Sequence, residues 1–317
     1  MEAARALFGR MLDGLISDEE IESTLVDLAD RGETAQDIAG AARAMRERMT
    51  RITSPAHAVD VCGTGGDGQH SLNVSTATAI IVAASGVPVA KHGNRAASSK
   101  AGAADTLEVL GLDLDRAGER AEQTLADLGI AFLFAQAHHP AMRHVMPIRR
   151  RIRRRTIFNL IGPLANPAGV TRQLVGVASP LLVALYADAM ALLGTDRAMI
   201  VSGEEGLDEL SISGLSRIAT IGFSLGSEPV TPEAAGLQAY PLEDLRGGEA
   251  DYNAAALQRL LAGEQGAYRD AALLNSAGAL IVADVARDWA EGAVMAAEAI
   301  DSGKAGDLLE RWIEACR

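Results

Sequence analysis

The first fifty residues carry hydrophobic positions at helical spacing. Ser17, with an acid three residues later, forms a helix-start pattern, and apolar residues then recur every three or four positions. Gly32 is a residue type that commonly ends a helix, and Thr34 with Asp37 forms a second start pattern. We therefore predict two helices here, the second running to about Met49.

The periodicity changes at Pro55, a residue that does not fit inside a helix. We place a domain boundary there, and we predict a small helical domain at residues 1–54 and a larger domain at residues 55–317. Part of residues 139–170 is expected to pack on the helical domain.

Beyond this boundary, short apolar runs alternate with helical patterns. Such alternation is typical of α/β proteins in which helices flank a mainly parallel central sheet. The segment 224–253 is rich in glycine, proline and acids, and it stays unassigned. Strands are predicted at 58–62, 87–90 and 130–135, further strands or buried segments at 174–178, 198–202 and 279–283, and helices at 75–85, 105–110, 119–128, 180–193 and 288–301.

Composition and charge narrow the range of functions. A chain of 317 residues that is 48% hydrophobic and 22% charged must form a packed core rather than remain disordered. A net charge of −13 and an aromatic content of only 3% argue against nucleic-acid binding. Two cysteines, no signal-peptide pattern and no apolar run long enough for a membrane span predict a cytoplasmic protein without a membrane partner.

A glycine-rich loop, GTGGDG at residues 63–68, stands between the first predicted strand and the next helix. Glycines there let backbone amides approach an anionic ligand, and the helix start adds further donors. A dinucleotide site needs an acid about 20 residues on, but the next acid after Asp67 is Asp105. A Walker loop fails as well, because no lysine follows the last glycine. A tight turn without a ligand is the remaining alternative.

The stretch that follows this loop contains no acids. Between residues 68 and 104 every charged or titratable side chain is basic or a histidine, which makes a local positive region in an acidic chain. A phosphate or diphosphate is therefore the ligand that we expect at the glycine loop. The basic residues and histidines are His70, Lys91, His92, Arg95 and Lys100, and short hydrogen-bonding side chains are added by Ser71, Asn73, Ser75 and Thr76.

Seven motifs together resemble the anthranilate phosphoribosyltransferases, which join anthranilate to phosphoribosyl pyrophosphate (PRPP). The motifs stand in the order of that family and cover nearly the whole chain. They are GTGGDG at 63–68, NVST at 73–76, KHGNR at 91–95 with SSK at 98–100, HPAM at 139–142, RTIFN at 155–159, GPL at 162–164 and GLDE at 206–209. The resemblance implies a small helical domain, a larger α/β domain, a cleft between them and a homodimer packed through the helical domains.

The resemblance also implies the reaction and its site. The 5-phosphoribosyl group of PRPP would pass to the amino group of anthranilate with release of pyrophosphate, in tryptophan biosynthesis. Two Mg²⁺ ions would take part, one on Ser75 and Glu209 and one on Asp208 and Glu209. No residue is implied as an acid or base, because the aniline nitrogen is already a nucleophile. The implied PRPP contacts are Gly63, Thr64, Gly65, Gly66, Asp67, Ser71, Asn73, Thr76, Lys91 and Ser99, and the implied anthranilate contacts are Gly63, His92, Asn94, His139, Arg149, Gly162 and Pro163.

One segment departs from the pattern of the family. Residues 149–155 contain six arginines in seven positions, where the family typically has an acid and a glycine between its first and last arginine. Arg149 and Arg155 match family positions. We expect the surplus arginines to form a solvated face paired with some of the many acids of the chain.

Three alternative functions stay open at this point. A related phosphoribosyltransferase could take another aromatic acceptor, because the PRPP residues match the family better than the acceptor residues do. A pyrimidine nucleoside phosphorylase shares the architecture, but it has Lys-His-Ser before its glycine loop, where this chain has Asp60-Val61-Cys62. An RNA-binding protein could use the arginine cluster.

Overall fold

A six-stranded sheet organises the larger part of the chain. The computed structural model describes residues 1–96, 100–225 and 229–317. The strands in these residues are β1 (Val59–Gly63), β2 (Val89–Gly93), β3 (Ile130–Phe134), β4 (Arg172–Gly176), β5 (Arg197–Gly203) and β6 (Ser216–Ile221). They lie in the order β3-β2-β1-β4-β5-β6, all parallel except β6, which is antiparallel to β5. The predicted α/β class with a mainly parallel sheet is confirmed.

Fourteen α-helices lie in the described residues, and local side-chain bonds mark where several of them begin. Ser17 Oγ accepts from Glu20 N at 3.2 Å, and Thr34 and Asp37 exchange reciprocal bonds. None of the described helices is long and apolar enough to cross a membrane. The helices are α1 (Glu2–Leu12), α2 (Asp18–Arg31), α3 (Ala35–Arg46), α4 (Val74–Ala84), α5 (Ala103–Val109), α6 (Leu114–Glu119), α7 (Ala121–Leu128), α8 (Ala135–His138), α9 (Met146–Ile152), α10 (Leu182–Leu192), α11 (Ala250–Leu261), α12 (Ala267–Val282), α13 (Trp289–Asp301) and α14 (Lys304–Ala315).

The two faces of the sheet bury different partners, because side chains alternate along each strand. In β1, Val59 and Val61 point into a core formed with α4, α12, α13 and α14. Cys62 points to the opposite face, into a core that includes α1, α2, α3 and α10. Arg46 of α3 also donates from Nε to the Leu164 carbonyl at 2.5 Å. The N-terminal helices therefore share one core with this face of the sheet, with α10 and the segment around Leu164 between them. The domain boundary at residue 54 stays a prediction.

Three parts of the fold differ from what the sequence indicated. Residues 279–283 are buried, as one of the two predictions for them said, but residues 279–282 are the end of α12 and not a strand. This helix is buried on nearly all sides and shows no polar stripe. The edge strand β6 was not predicted, since its partly exposed residues give no clear alternation. The segment 224–253, as far as it is described, forms two 3₁₀ helices, Pro232–Ala235 and Leu242–Leu245, and the first turn of α11.

Candidate active site

The candidate site lies where the strand order reverses, at the carboxyl ends of β1 and β4. The chain adds β2 on one side of β1 and β4 on the other, which opens a crevice above these strand ends. Gly63 and Gly176 end the two strands and pair with each other. A Cβ on Gly63 would collide with the Asp208 carboxylate, and a Cβ on Gly176 would collide with the Asp208 main chain. The two glycines therefore allow Asp208 to lie across both strand ends.

The glycine loop after β1 adopts left-handed backbone at three positions. Gly65, Gly66 and Gly68 have φ values of +68°, +78° and +74°, and a Cβ on any of them would meet no atom within 4 Å. Gly65 N donates to Asp208 Oδ2 at 2.7 Å. Thr64 N donates to the carbonyl at the end of β4 at 2.9 Å. The start of the loop is thus fixed, and its backbone beyond Gly65 is open to a ligand.

Three acidic side chains meet beside this loop. Burial and the Asp67 charge raise the pKa of Asp208 to about 7, and burial and the Asp208 charge raise the pKa of Glu209 to about 8. Asp67 Oδ2 is buried without a hydrogen-bond partner. Glu209 Oε1 accepts from Ser75 N at 3.1 Å, in the first turn of α4. The charge of Lys91 acts on Glu209 in the opposite direction, but the pKa of Glu209 stays raised.

The oxygen atoms of this acidic cluster suit Mg²⁺. Within residues 1–96, 100–225 and 229–317, no group of three or more His, Cys, Asp or Glu side chains forms a ready-made metal cage. Mg²⁺ rarely uses one, because it binds through one or two carboxylates, water and substrate phosphates. The unpartnered oxygen of Asp67 and the raised pKa values of Asp208 and Glu209 indicate a place where a divalent cation would be stabilised.

Lys91 and His92 separate the two halves of the site. They are neighbours in β2, so their side chains point to opposite faces of the sheet. Lys91 is 2% exposed and donates from Nζ to Val61 O at 2.7 Å and to Ser75 Oγ at 3.2 Å, on the face covered by α4. His92 Nδ1 lies 3.1 Å from Gly162 O on the other face. The end of β2 therefore contributes Lys91 to the glycine-loop half of the site and His92 to the other half.

Two buried histidines form the second half of the site. Nε2 of His92 and Nε2 of His139 are 3.2 Å apart. Burial, followed by the charge of a neighbouring histidine, lowers the pKa of His92 to about 3 and that of His139 to about 4, so both rings are neutral near pH 7. Because a carbonyl only accepts, His92 Nδ1 donates to Gly162 O, and His92 Nε2 then accepts from His139.

Arg149 is a partly buried cation on the last turn of α9. Burial alone lowers its pKa, and in the described part of the chain no carboxylate pairs with it. Its guanidinium carbon lies 5.6 Å from the centre of the Phe158 ring, and Nη2 is 3.5 Å from Asn159 Oδ1. Both neighbours belong to the segment that leads to Gly162. A guanidinium in this setting is suited to bind the carboxylate of a ligand.

The surplus arginines contact the N-terminal helices. Arg151 pairs with Glu22 at 2.6 Å, and Arg154 pairs with Asp30 at 2.6 Å, both on α2. The predicted acid-paired, solvated face is confirmed for these two arginines. This pairing reduces the positive charge that the cluster would offer to RNA by two arginines.

Asn73 and Thr76, at the start of α4, differ in how far their side chains are engaged. Asn73 Oδ1 accepts from Thr106 Oγ1 at 2.6 Å and from Asn253 Nδ2 at 3.0 Å, so its amide already holds neighbouring segments together. The hydroxyl of Thr76 is buried without a partner. Of these two residues, Thr76 therefore has the side chain that is more available to form a hydrogen bond with a ligand.

The remaining predicted residues surround the crevice. Ser71 forms an isolated β-bridge with Arg246, which ties the loop to the end of the previously unassigned segment. Asn94 is exposed after β2, and Pro163 is buried beside Gly162. Ser99 lies outside the described residues.

Sequence reasoning missed the buried polar residues behind the histidine half. Asp60, fully buried in β1, accepts from His92 N at 3.0 Å. Gln173 of β4 donates to Pro163 O at 2.8 Å, and Asn166 donates to the main chain of β2 at 2.8 Å. The sequence did hold one signal for Asp60 and Gln173: each is a polar residue inside an apolar strand. Because a buried polar group needs a hydrogen-bond partner, such a residue indicates a buried polar contact.

Comparison with known proteins first defines the class. Residues 55–306 match the family described as "Glycosyl transferase family, a/b domain". Residues 1–49 match the accompanying "Glycosyl transferase family, helical bundle domain". The helices on the sheet and the crevice above it are therefore those of a glycosyltransferase.

The relatives then define the particular enzyme family. The chain is 61% identical over 313 residues to the anthranilate phosphoribosyltransferase of Novosphingobium aromaticivorans, covering 98% of this chain and 95% of that protein. The crystal structure of the Thermus thermophilus enzyme is 44% identical with a TM-score of 0.92, covering 99% of this chain and 94% of that one. The Saccharomyces cerevisiae enzyme in complex with PRPP and Mg is 30% identical with a TM-score of 0.89, covering 98% and 91%. This chain belongs to the anthranilate phosphoribosyltransferases, as its seven motifs indicated.

Proposed function

We propose that this enzyme transfers the 5-phosphoribosyl group of PRPP to the amino group of anthranilate with Mg²⁺ and releases pyrophosphate, as a step of tryptophan biosynthesis. One observation carries the proposal: two unlike half-sites meet at the end of β2. Lys91 stands beside the acid-lined glycine loop, and His92 stands beside the neutral histidine half. Such an arrangement suits an anionic donor on one face of the sheet and an aromatic acceptor on the other.

On the PRPP side, the loop offers what a diphosphate needs. Open backbone at the glycines and the Lys91 ammonium would contact the phosphates. Mg²⁺, when bound, would neutralise the diphosphate and stabilise it as a leaving group. The Saccharomyces cerevisiae complex with PRPP and Mg supports this use of the metal. We propose two ions, held by Ser75, Asp208 and Glu209, and PRPP contacts from Gly63, Thr64, Gly65, Gly66, Asp67, Ser71, Asn73, Thr76, Lys91 and Ser99.

On the acceptor side, Arg149 would bind the anthranilate carboxylate. The reaction develops positive charge on the ribose, so neutral histidines avoid the repulsion that imidazolium rings would add. The aniline nitrogen is a nucleophile without deprotonation, and its orientation toward the ribose would supply much of the rate. A Saccharomyces cerevisiae structure in complex with 4-fluoroanthranilate supports an acceptor of this class. The proposed contacts are Gly63, His92, Asn94, His139, Arg149, Gly162 and Pro163.

We also propose that the enzyme is a homodimer packed through its helical domains. Leu15, between α1 and α2, is 66% exposed, and Leu181, just before α10, is 85% exposed. Single exposed apolar side chains are normal on a protein surface, so the proposal of a homodimer rests on the resemblance to the family. A cytoplasmic location stays a prediction.

The function is tested by following anthranilate fluorescence with PRPP and Mg²⁺. We expect consumption of anthranilate that requires both additions and an equal release of pyrophosphate. A panel of other aromatic amines under the same conditions provides the comparison for the acceptor. Faster turnover of another amine, or none of anthranilate, would contradict the proposal.

A further inference from the structure

Asn275 is a fully buried amide inside the apolar helix α12. Its exposed fraction is 0%, although it stands in a run of leucine and alanine. Oδ1 accepts from Leu210 N at 2.9 Å, while Nδ2 donates to Leu210 O at 3.1 Å and to Ala271 O at 2.9 Å. Two of these three bonds therefore join the helix to the main chain of one distant residue.

Leu210 directly follows the acid pair Asp208 and Glu209. It lies in the connection between β5 and β6, where no strand ladder pairs with it. Within the described residues, the Asn275 amide is the hydrogen-bond partner of both its N–H and its carbonyl. The amide thus takes the place of a neighbouring strand and satisfies two buried backbone groups.

The side chain of Leu210 also packs against α12. Gly278 lies on α12 three residues after Asn275, and a Cβ there would come within 3.1 Å of Leu210 Cδ1. A larger residue would push this leucine away. α12 therefore holds both the main chain of Leu210, through Asn275, and the side chain of Leu210, beside Gly278. We expect this point of the connection to be rigid.

The other bonds of the acid pair are of a different kind. Asp208 Oδ2 bonds Gly65 N, and Glu209 Oε1 bonds Ser75 N, so both bonds use the carboxylate oxygens. A cation or a diphosphate at the loop would compete for these oxygens and amides. The bonds from Asn275 go to the main chain of Leu210, so such a ligand would not compete for them.

We infer that Asn275 is a positioning residue that sets where Asp208 and Glu209 stand above the ends of β1 and β4. The inference rests on the proposed magnesium–diphosphate site. Its effect falls on the PRPP half of the site, because the histidine half is built on the opposite face of the sheet.

The variant Asn275→Leu keeps the size of the side chain and removes all three bonds. Loss of the bonds that fix the acid pair is expected to weaken binding of PRPP with Mg²⁺ by roughly tenfold, the effect of losing about one hydrogen bond to a charged group. The KM for anthranilate should change less than about twofold, because Gly63, which borders Asp208, is the one proposed anthranilate contact beside the 208–210 connection, while the histidine half lies on the opposite face of the sheet. Ser276→Ala is the matched control, since Ser276 is the next residue, equally buried, and its hydroxyl has no partner.

Binding is measured by titration calorimetry with PRPP and MgCl₂, and KM by anthranilate fluorescence. Leu25→Ala, in the buried face of α2, provides a destabilised enzyme whose acid pair is untouched. It should lower the unfolding temperature without a selective loss of PRPP binding. Equal PRPP affinity in Asn275→Leu and Ser276→Ala would overturn the inference alone. No PRPP binding by the unsubstituted enzyme would overturn the proposed function together with it.

A second measurement needs no variant. Amide hydrogen exchange at Leu210 should be slow in the unsubstituted enzyme, both alone and with PRPP and Mg²⁺. Fast exchange at this amide in the free enzyme would contradict a rigid clamp by Asn275, even if the variants failed to fold.

Discussion

Replacement of Gly176 by alanine is the sharpest test of how the acidic connection lies on the sheet. The added Cβ would overlap the carbonyl group of Asp208, which is main chain and has no rotamer to escape into. Recovery of ordinary contact requires the Asp208 backbone to retreat by roughly 1.5 Å or more. Gly63→Ala meets the same residue at its carboxylate, the movable end of the side chain.

The contacts at the two glycines indicate that Gly176→Ala should impair the enzyme more than Gly63→Ala. Overpacking of a tight contact costs about 1–3 kcal/mol of stability. A displacement near 1 Å in a catalytic group lowers the rate by about 100-fold, which corresponds to roughly 2.7 kcal/mol of transition-state stabilisation. We therefore expect Gly176→Ala to lose about 100-fold in kcat/KM for PRPP, and Gly63→Ala to lose less.

Steady-state kinetics with varied PRPP and Mg²⁺, together with denaturant unfolding, separate the two effects. Gly118→Ala on α6 is the control, because a Cβ there meets no atom within 4 Å. It should raise stability by about 0.5–1 kcal/mol and leave the kinetics unchanged. A folded Gly176→Ala enzyme with normal kcat/KM would refute the argument that this glycine keeps Asp208 in place.

Three further variants test the two halves of the site. Arg149→Ala should raise the KM for anthranilate by about 10- to 100-fold, because the anthranilate carboxylate loses a charged hydrogen-bond partner. Arg150→Ala, at the exposed neighbouring residue, serves as the control. An equal rise in the KM for PRPP would place Arg149 outside the anthranilate site. Asp208→Asn should lower kcat by about 100-fold or more yet unfold at no lower denaturant concentration, because burial raises the pKa of this carboxyl. His139 has its pKa lowered from 6.5 to about 4, so the folded state binds fewer protons than the unfolded state between these values. The neutral His139 ring therefore contributes fully to the free energy of unfolding above pH 6.5. This free energy falls as the pH is lowered from 6.5 toward 4, by up to about 1.4 kcal/mol per pH unit. His139→Asn should flatten this slope in denaturant titrations at pH 7 and 5, and an unchanged slope would contradict the buried neutral ring.

Much of the local structure was predictable because it depends on neighbours in the sequence. The helix starts at Ser17 and Thr34 rest on side-chain bonds to residues three positions away. The glycine loop followed from residue types that permit left-handed backbone. The basic stretch after it indicated an anionic ligand without knowledge of the fold.

Other features depended on burial that a sequence pattern does not reveal. Residues 279–282 form the end of a helix, and an apolar run of that length has no periodicity that separates it from a buried strand. Asn275 has no partner within its own helix beyond Ala271, so its role depends on Leu210, 65 positions earlier. Asp60 likewise is explained only by the main chain of β2 beside it.

By itself, the sequence determined the α/β class, the glycine loop and the positive stretch, because these are properties of short segments. Most of the candidate site residues were implied by the resemblance to the family and stay predictions. Only the tertiary structure decided that Asp208 meets Gly65, a residue 143 positions away. It also decided that Arg151 and Arg154 face acids of α2. The physical reason is that such contacts depend on which strands become neighbours and which helices cover each face, and those choices minimise the free energy of the whole core rather than of any one segment.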